Sequence, residues 1–242
     1  MRHLQTYRLF ESAQTLTQDQ QKFLDKYISG SWSLNPSTGL VDIQGNFNCS
    51  HEGLKDLQEI LFGVVTGDFY CSSNNLTSLT GAPKTVGGDF YCISNNLTSL
   101  AGAPETVGGA FNCDSNKLTS LAGAPETVGG AFDCDSNKLT SLAGAPETVG
   151  GEFYSDDLMI PEGKWGLETF IDLMKTGTSK QKQLVAPLID PKVLQQQIDE
   201  NPEGMLVKLK GVLKHPHLQG LKWPERLEQE KDLLSDLEDV GL

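Results

Sequence analysis

Aromatic residues make up only 7% of this 242-residue chain. No apolar run comes near the roughly 20 residues that a membrane span needs. The opening segment, MRHLQTYRLFESAQ, lacks the apolar stretch of a secretory signal, so a cytoplasmic protein is expected. Cysteine is scarce: Cys49, Cys71, Cys92, Cys113 and Cys134 are the full set. Five thiols cannot all pair within one chain, and no CxxC pair exists, which argues against a disulfide framework or a zinc module. The four histidines, His3, His51, His215 and His217, match no ligand or catalytic spacing. Gly-Gly recurs, but no Lys-Ser/Thr follows it as a phosphate loop requires. With no catalytic constellation visible, the expectation is a non-enzymatic protein with no cofactor and no metal.

Carboxylates and glycine are plentiful. The formal charge is −13 and glycine numbers 25, while the 38% apolar content is enough to bury a core. Such a surface repels nucleic acid and anionic membranes and attracts basic partners. The expected partner is therefore a protein of basic character, with no nucleic acid and no membrane involved.

The cysteines lie 22, 21, 21 and 21 residues apart, and they mark a repeat. Its unit is V-G-G-x-F-x-C-x-x-N-x-L-T-S-L-x-G-A-P-x-T. Close copies start at Val86, Val107 and Val128, with diverged copies near Val65 and upstream at IQGNFNCSHEGLKDL, and a half copy at VGGEFYSDDLMI. Phe and Cys two apart are the inward residues of a short strand. Strands are expected at about 46–50, 68–72, 89–93, 110–114, 131–135 and 152–156, stacked in parallel about 4.8 Å apart. Asn74, Asn95, Asn116 and Asn137 then form a structural column whose carboxamides bond backbone groups of their own and neighbouring coils. The pairs Leu76/Leu79, Leu97/Leu100, Leu118/Leu121 and Leu139/Leu142 fill the core. Gly-Ala-Pro makes the return without a helix.

The ends read differently. LTQDQQKFLDKYISG predicts one helix, with Thr17 and Gln20 as a capping box and Gly30 as its stop. Phe23, Leu24, Tyr27 and Ile28 form the face that would cover the first coil. SWSLNPSTGLVDI predicts a β-hairpin turning at Asn35-Pro36 and Gly39. After residue 160, helical patterns run near 163–175, 178–189, 191–200, 203–214 and 224–239. In the last, Leu227, Leu234 and Leu237 are the apolar positions. Lys208, Lys210, Lys214 and Lys222 form the basic cluster, read as a solvated face rather than a nucleic-acid patch. The expected organisation is a flexible arm at 1–14, a helix-plus-hairpin cap at 15–45, a solenoid at 46–160 and a helical domain at 161–242. The fold class is α+β.

F-x-C-x-x-N-x-L resembles the second half of the leucine-rich repeat L-x-x-L-x-L-x-x-N-x-L, with Gly replacing the first Leu. The short period is similar to bacterial leucine-rich repeats with extended convex segments. The string LTSLAGAPETVGG followed by F-x-C-x-x-N, and the lead-in WSLNPSTGLVDIQGNFNC, resemble repeat proteins encoded by large contractile-tailed phages over residues 15 to 157. The resemblance implies a leucine-rich-repeat-like parallel β-solenoid of about six coils, acting in the host cytoplasm or in the virion. Leu9-Phe10-Glu11 has the L-x-E form that prohead proteases of such phages cut. Glu11 is thus a candidate processing site, and a virion structural or head-packaged protein is one function the resemblance implies. Some bacterial leucine-rich repeat effectors carry a cysteine ubiquitin ligase after the repeats; no cysteine follows Cys134, which excludes that reading.

The outward strand positions carry the candidate site. Asn46, Asp68, Asp89, Ala110, Ala131 and Glu152 form one column. Asn48, Tyr70, Tyr91, Asn112, Asp133 and Tyr154 form the middle one. Ser50, Ser72, Ile93, Asp114, Asp135 and Asp156 form the third. Between residues 46 and 157 there are four lysines against fourteen carboxylates. Stacked carboxylates one strand apart repel by on the order of 1 kcal/mol in water. Lys117 and Lys138, a basic partner or a calcium ladder would offset this. Tyr70, Tyr91, Ile93, Asn112, Asp114, Asp133, Asp135, Tyr154 and Asp156 are the expected partner-binding residues, since tyrosines beside charges are what interfaces favour. The expected function is a protein-protein interaction module. A further alternative is an acidic mimic of DNA that occupies a nucleic-acid-binding defence protein.

Overall fold

The computed structural model describes residues 15–239 apart from 157 and 219; the arm at 1–14, including Glu11, lies outside them. The chain divides into two compact units. One holds the residues up to Leu139 and Gly144–Trp165; the other holds Thr140–Ala143 and the chain from Gly166 onward. Among the described residues no helix is long and apolar enough to cross a membrane.

The repeats build a parallel β-solenoid of about five turns. The expected ladder runs through β2 (Val41–Asn48), β4 (Phe69–Tyr70), β6 (Phe90–Tyr91), β8 (Phe111–Asn112), β10 (Phe132–Asp133) and β12 (Phe153–Ser155), Phe stacked on Phe in register. These strands are mostly shorter than expected. The cause is the serine before each asparagine: Ser73, Ser94, Ser115 and Ser136 turn left-handed, at φ 54°, 54°, 56° and 51°. A second parallel ladder, absent from the sequence expectation, joins β3 (Phe62–Val65), β5 (Thr85–Val86), β7 (Thr106–Val107), β9 (Thr127–Val128) and β11 (Thr148–Val149). β2 is long enough to seed both: Val41–Ile43 pairs with β3, and Phe47–Asn48 pairs with β4.

The glycine pair between the two ladders follows from how closely the coils approach there. A Cβ on Gly108 would overlap the carbonyl oxygen of Gly87, and the same holds for Gly129 against Gly108 and Gly150 against Gly129. The return turn also needs glycine: Ala82 N donates to Leu79 O at 2.9 Å across Gly81 at φ 92°.

Inside, the phenylalanines form one aromatic spine. Successive centroids lie 5.0–5.4 Å apart from Phe47 to Phe153, and from Phe69 onward the rings are within 10° of parallel. The helix α1 (Gln18–Tyr27) lies against its first member: Phe23 and Tyr27 sit 5.9 and 6.2 Å from Phe47. Trp165 packs 4.5 Å from the last, Phe153, and donates Nε1 to Pro146 O at 3.2 Å. The Thr17–Gln20 capping box forms as expected. Gly30 is not the helix stop, because α1 ends at Tyr27 and Ile28 opens β1 (Ile28–Leu34). Gly30 instead faces Gly45 in the antiparallel β1–β2 pair, where neither backbone leaves room for a side chain. Asn35 closes that hairpin, its Oδ1 accepting from Ser37 N and Thr38 N.

Each repeat asparagine joins two coils. Asn95 Nδ2 donates to Cys71 O of the preceding coil at 3.0 Å and to Cys92 O of its own at 3.1 Å. Its Oδ1 accepts from Leu76 N at 3.0 Å. Asn74, Asn116 and Asn137 repeat the arrangement. At the array's start the asparagine position holds Glu52, which turns outward to Lys26 at 3.3 Å. At its end the position holds Leu158, and the chain doubles back as β13 (Leu158–Ile160), antiparallel to β12. The expected sixth coil is therefore one closing strand and not a full turn. Leu139 is half-buried, whereas the other three leading leucines are fully buried.

The second unit contains α2 (Leu167–Thr176), α3 (Ser179–Val185), α4 (Pro191–Glu200), α5 (Pro202–Leu209) and α6 (Glu225–Asp239). Its breaks fall at Gly177, Pro191 and Pro202 as the sequence indicates. Thr178, Asp190 and Asn201 cap the helices that follow them. Leu184, Val185, Leu194, Ile198, Leu206 and Leu209 are buried, as is Leu227. Lys208 of the basic cluster is exposed and pairs with Glu168 at 2.6 Å.

Two outcomes are expected. Asn95→Ala leaves the buried Leu76 N–H without its acceptor and should cost about 2–4 kcal/mol of stability in a denaturant titration. All five thiols are free and buried. Burial pushes Cys49 up to about 12 and the other four well above the ordinary thiol range. A thiol reagent at pH 8 should therefore label none of them in the folded chain and all five after denaturation.

Candidate functional site

Alternation in a strand sends Phe and Cys inward and the residues between and beside them outward. Backbone pairing puts Asn48, Tyr70, Tyr91, Asn112, Asp133 and Tyr154 in one register column. The next column continues past the strand ends: Ser73 N donates to Ile93 O, Ser94 N to Asp114 O and Ser115 N to Asp135 O. The nine residues expected to form the site thus share one face. Eight of them are half-buried rather than open to solvent, and Asp156 is exposed.

The face has two parts. Toward the N-terminus, Tyr70 and Tyr91 stack with centroids 5.0 Å apart. Tyr91 Oη donates to Asp89 Oδ2 at 3.1 Å. Burial and the neighbouring Asp68 push the Tyr70 hydroxyl up to about 12, and burial with Asp89 raises that of Tyr91. Asp68 and Asp89 were not among the expected site residues, yet they organise this part. Asp68 Oδ1 accepts from Asp89 N at 2.9 Å, and Asp89 Oδ1 accepts from Ala110 N at 2.8 Å. Each carboxylate bridges to the next coil, and the bridge stops where alanine takes the position. The signal was an Asp or Asn just before Phe, a short side chain able to bond nearby backbone.

Toward the C-terminus the face is carboxylate-rich. Asp133 is held by Asn112 Nδ2 at 3.0 Å and by the backbone N–H of Asp135 at 3.0 Å. Ser115 Oγ donates to Asp114 Oδ2 at 3.1 Å. Asp114 Oδ1 and Asp135 Oδ1 are closed to solvent and have no hydrogen-bond partner among the described residues. Burial raises Asp133 and Asp135; Asp114 adds to the first, and Asp133, Asp156 and Asp114 add to the second. The expectation that Lys117 and Lys138 neutralise this column is not met. Lys117 Nζ turns to Asn96 Oδ1 at 2.7 Å. Among the described residues the ion pairs lie elsewhere, and none involves Lys138 or these carboxylates. No group of three or more His, Cys, Asp or Glu among them is placed to hold a metal ion.

A carboxylate whose pKa is raised on folding favours the fold when protonated, and that contribution fades as pH rises through the folded value. Asp135→Asn should therefore raise the melting temperature at pH 7. The gain should shrink as pH falls and vanish below the ordinary aspartate range, as a melting series from pH 7 to 3 would show.

No family model matches the chain, and no curated protein or solved structure matches it at a significant level, so the functional reading rests on this face.

Proposed function

We propose that the chain is a non-enzymatic protein-interaction module, of the leucine-rich-repeat-like kind its motifs resemble, and that it binds its partner through the outward face of the Phe-x-Cys ladder. The carrying observation is that this face joins a stacked tyrosine pair to carboxylates that form no ion pair among the described residues. Repeat scaffolds bind through surfaces of this kind because the core is common to every coil while outward positions are free to differ. Asn112 and Asp133 are an instance: they occupy the same register in consecutive coils otherwise nearly identical between them. Tyrosine supplies large, rigid contact area with a polar tip, which suits it to an interface centre. The likeness of the repeats to those of contractile-tailed phages makes a bacterial host cytoplasm the place to look for the partner.

The test is affinity capture from bacterial lysate with the full chain and with the triple variant Tyr70→Ala, Tyr91→Ala, Asp135→Ala. The variant should lose the captured protein at least tenfold while its melting temperature stays within a few degrees. Undiminished capture by a folded variant would overturn the assignment of the face.

A further inference from the structure

β1 (Ile28–Leu34) is an edge without the usual protection. It pairs with β2 on one side, and among the described residues no strand pairs with it on the other. A strand edge presents a row of free N–H and C=O groups, and folded chains blunt such edges by shortening them or by placing charge or proline there. The other edges of this sheet are blunted in that way. β11 has two residues, and β13 has three and runs into Pro161. β1 has seven residues, ISGSWSL, with no charge and no proline, and five of them are exposed. Leu34 at its end is 37% exposed, although the residue opposite it on β2, Val41, is fully buried.

The strand is also its own complement. Antiparallel pairing sets opposite residues on one face of a sheet. Turned about Ser31, a second β1 would set Leu34 opposite Ile28, Ser33 opposite Ser29 and Trp32 opposite Gly30. The apolar row then reads Val41, Leu34, Ile28, Phe47 across four strands, and the central row on the other face reads Gln44, Ser31, Ser31, Gln44. Leu34 gains an apolar neighbour, the Trp32 ring meets a glycine that leaves room for it, and no like charges fall opposite each other. Trp32 is fixed in advance, since its Nε1 donates to Asp25 Oδ1 at 2.8 Å. A slip of one residue would set apolar side chains against polar ones, so the order of residues selects this register.

We infer that β1 pairs with β1 of a second copy of the chain, antiparallel about a two-fold axis at Ser31, so that the two sheets run on as one. An unrelated strand would find the same free backbone groups but not this row-by-row match. The contact is small, one short strand from each copy, so self-association in the micromolar range is expected. Each copy carries a formal charge of −13, so added salt should strengthen the pair by screening the repulsion.

Sedimentation equilibrium of the full chain from about 1 to 200 µM tests this. The parent should pass from 26.3 kDa toward twice that mass. Ser31 is exposed, so the single copy accommodates a charge there, but at the axis that charge meets itself. Ser31→Lys and Ser31→Glu should each weaken self-association at least tenfold, and an equimolar mixture of the two should restore it. Thr106→Lys, exposed on the Thr-Val ladder, should dimerise like the parent. All three variants should melt within a few degrees of the parent. A parent chain that stays monomeric throughout would overturn the inference, whatever the variants do. So would folded Ser31 variants that dimerise like the parent, or a mixture of them that stays monomeric. Growth beyond twice the chain mass would overturn it too, because a two-fold contact closes on itself.

Discussion

In each coil one asparagine carboxamide, tucked against the core, bonds its own coil and the one before it. Asn74, Asn95, Asn116 and Asn137 each span two cysteine carbonyls, so the carbonyls of Cys71, Cys92 and Cys113 each receive two asparagines, one from their own coil and one from the next. Every other regularity depends on this ladder. To bring the carboxamide inward, the preceding serine must turn left-handed, which ends the strand early. To hold the coils at that spacing, the chain must carry glycine where the backbones nearly touch. With the coils in register, phenylalanines stack into one spine, and buried free thiols lie one strand position beyond it.

The same constraint sets where the array can end. Glu52 cannot replace asparagine in a buried site and turns outward to Lys26 instead. Leu158 has no carboxamide, so the last strand pairs with an antiparallel segment rather than with another coil. The exposed ends of the aromatic spine are then met by Phe23 on one side and Trp165 on the other.

A stiff backbone also fixes the face. Side chains one coil apart are held near the interstrand spacing whatever their charge, so aspartates that repel cannot move apart. On the tyrosine half the chain uses its acids internally, as acceptors for the next coil's amide. On the other half, two carboxylate oxygens are closed to solvent and find no donor among the described residues. One scaffold thus presents an aromatic patch and a charged patch at a fixed separation.

The 21-residue period, the inward Phe and Cys, and the asparagine column were legible in the sequence, because identical spacing forces identical environments once coils stack, and the capping box at Thr17 was legible from its local motif. The outward columns followed from the same arithmetic. The Thr-Val ladder was less legible, since two residues per coil make no recognisable strand until β2 aligns them. Nor could spacing alone show that Lys117 reaches Asn96 and not an aspartate, or that Asp68 and Asp89 bind backbone amides while Asp114 and Asp135 keep a buried oxygen unpaired. The sequence by itself determined which residues share a column. The tertiary structure decided which of them find partners, because side-chain reach and solvent access exist only after the coils have closed on one another.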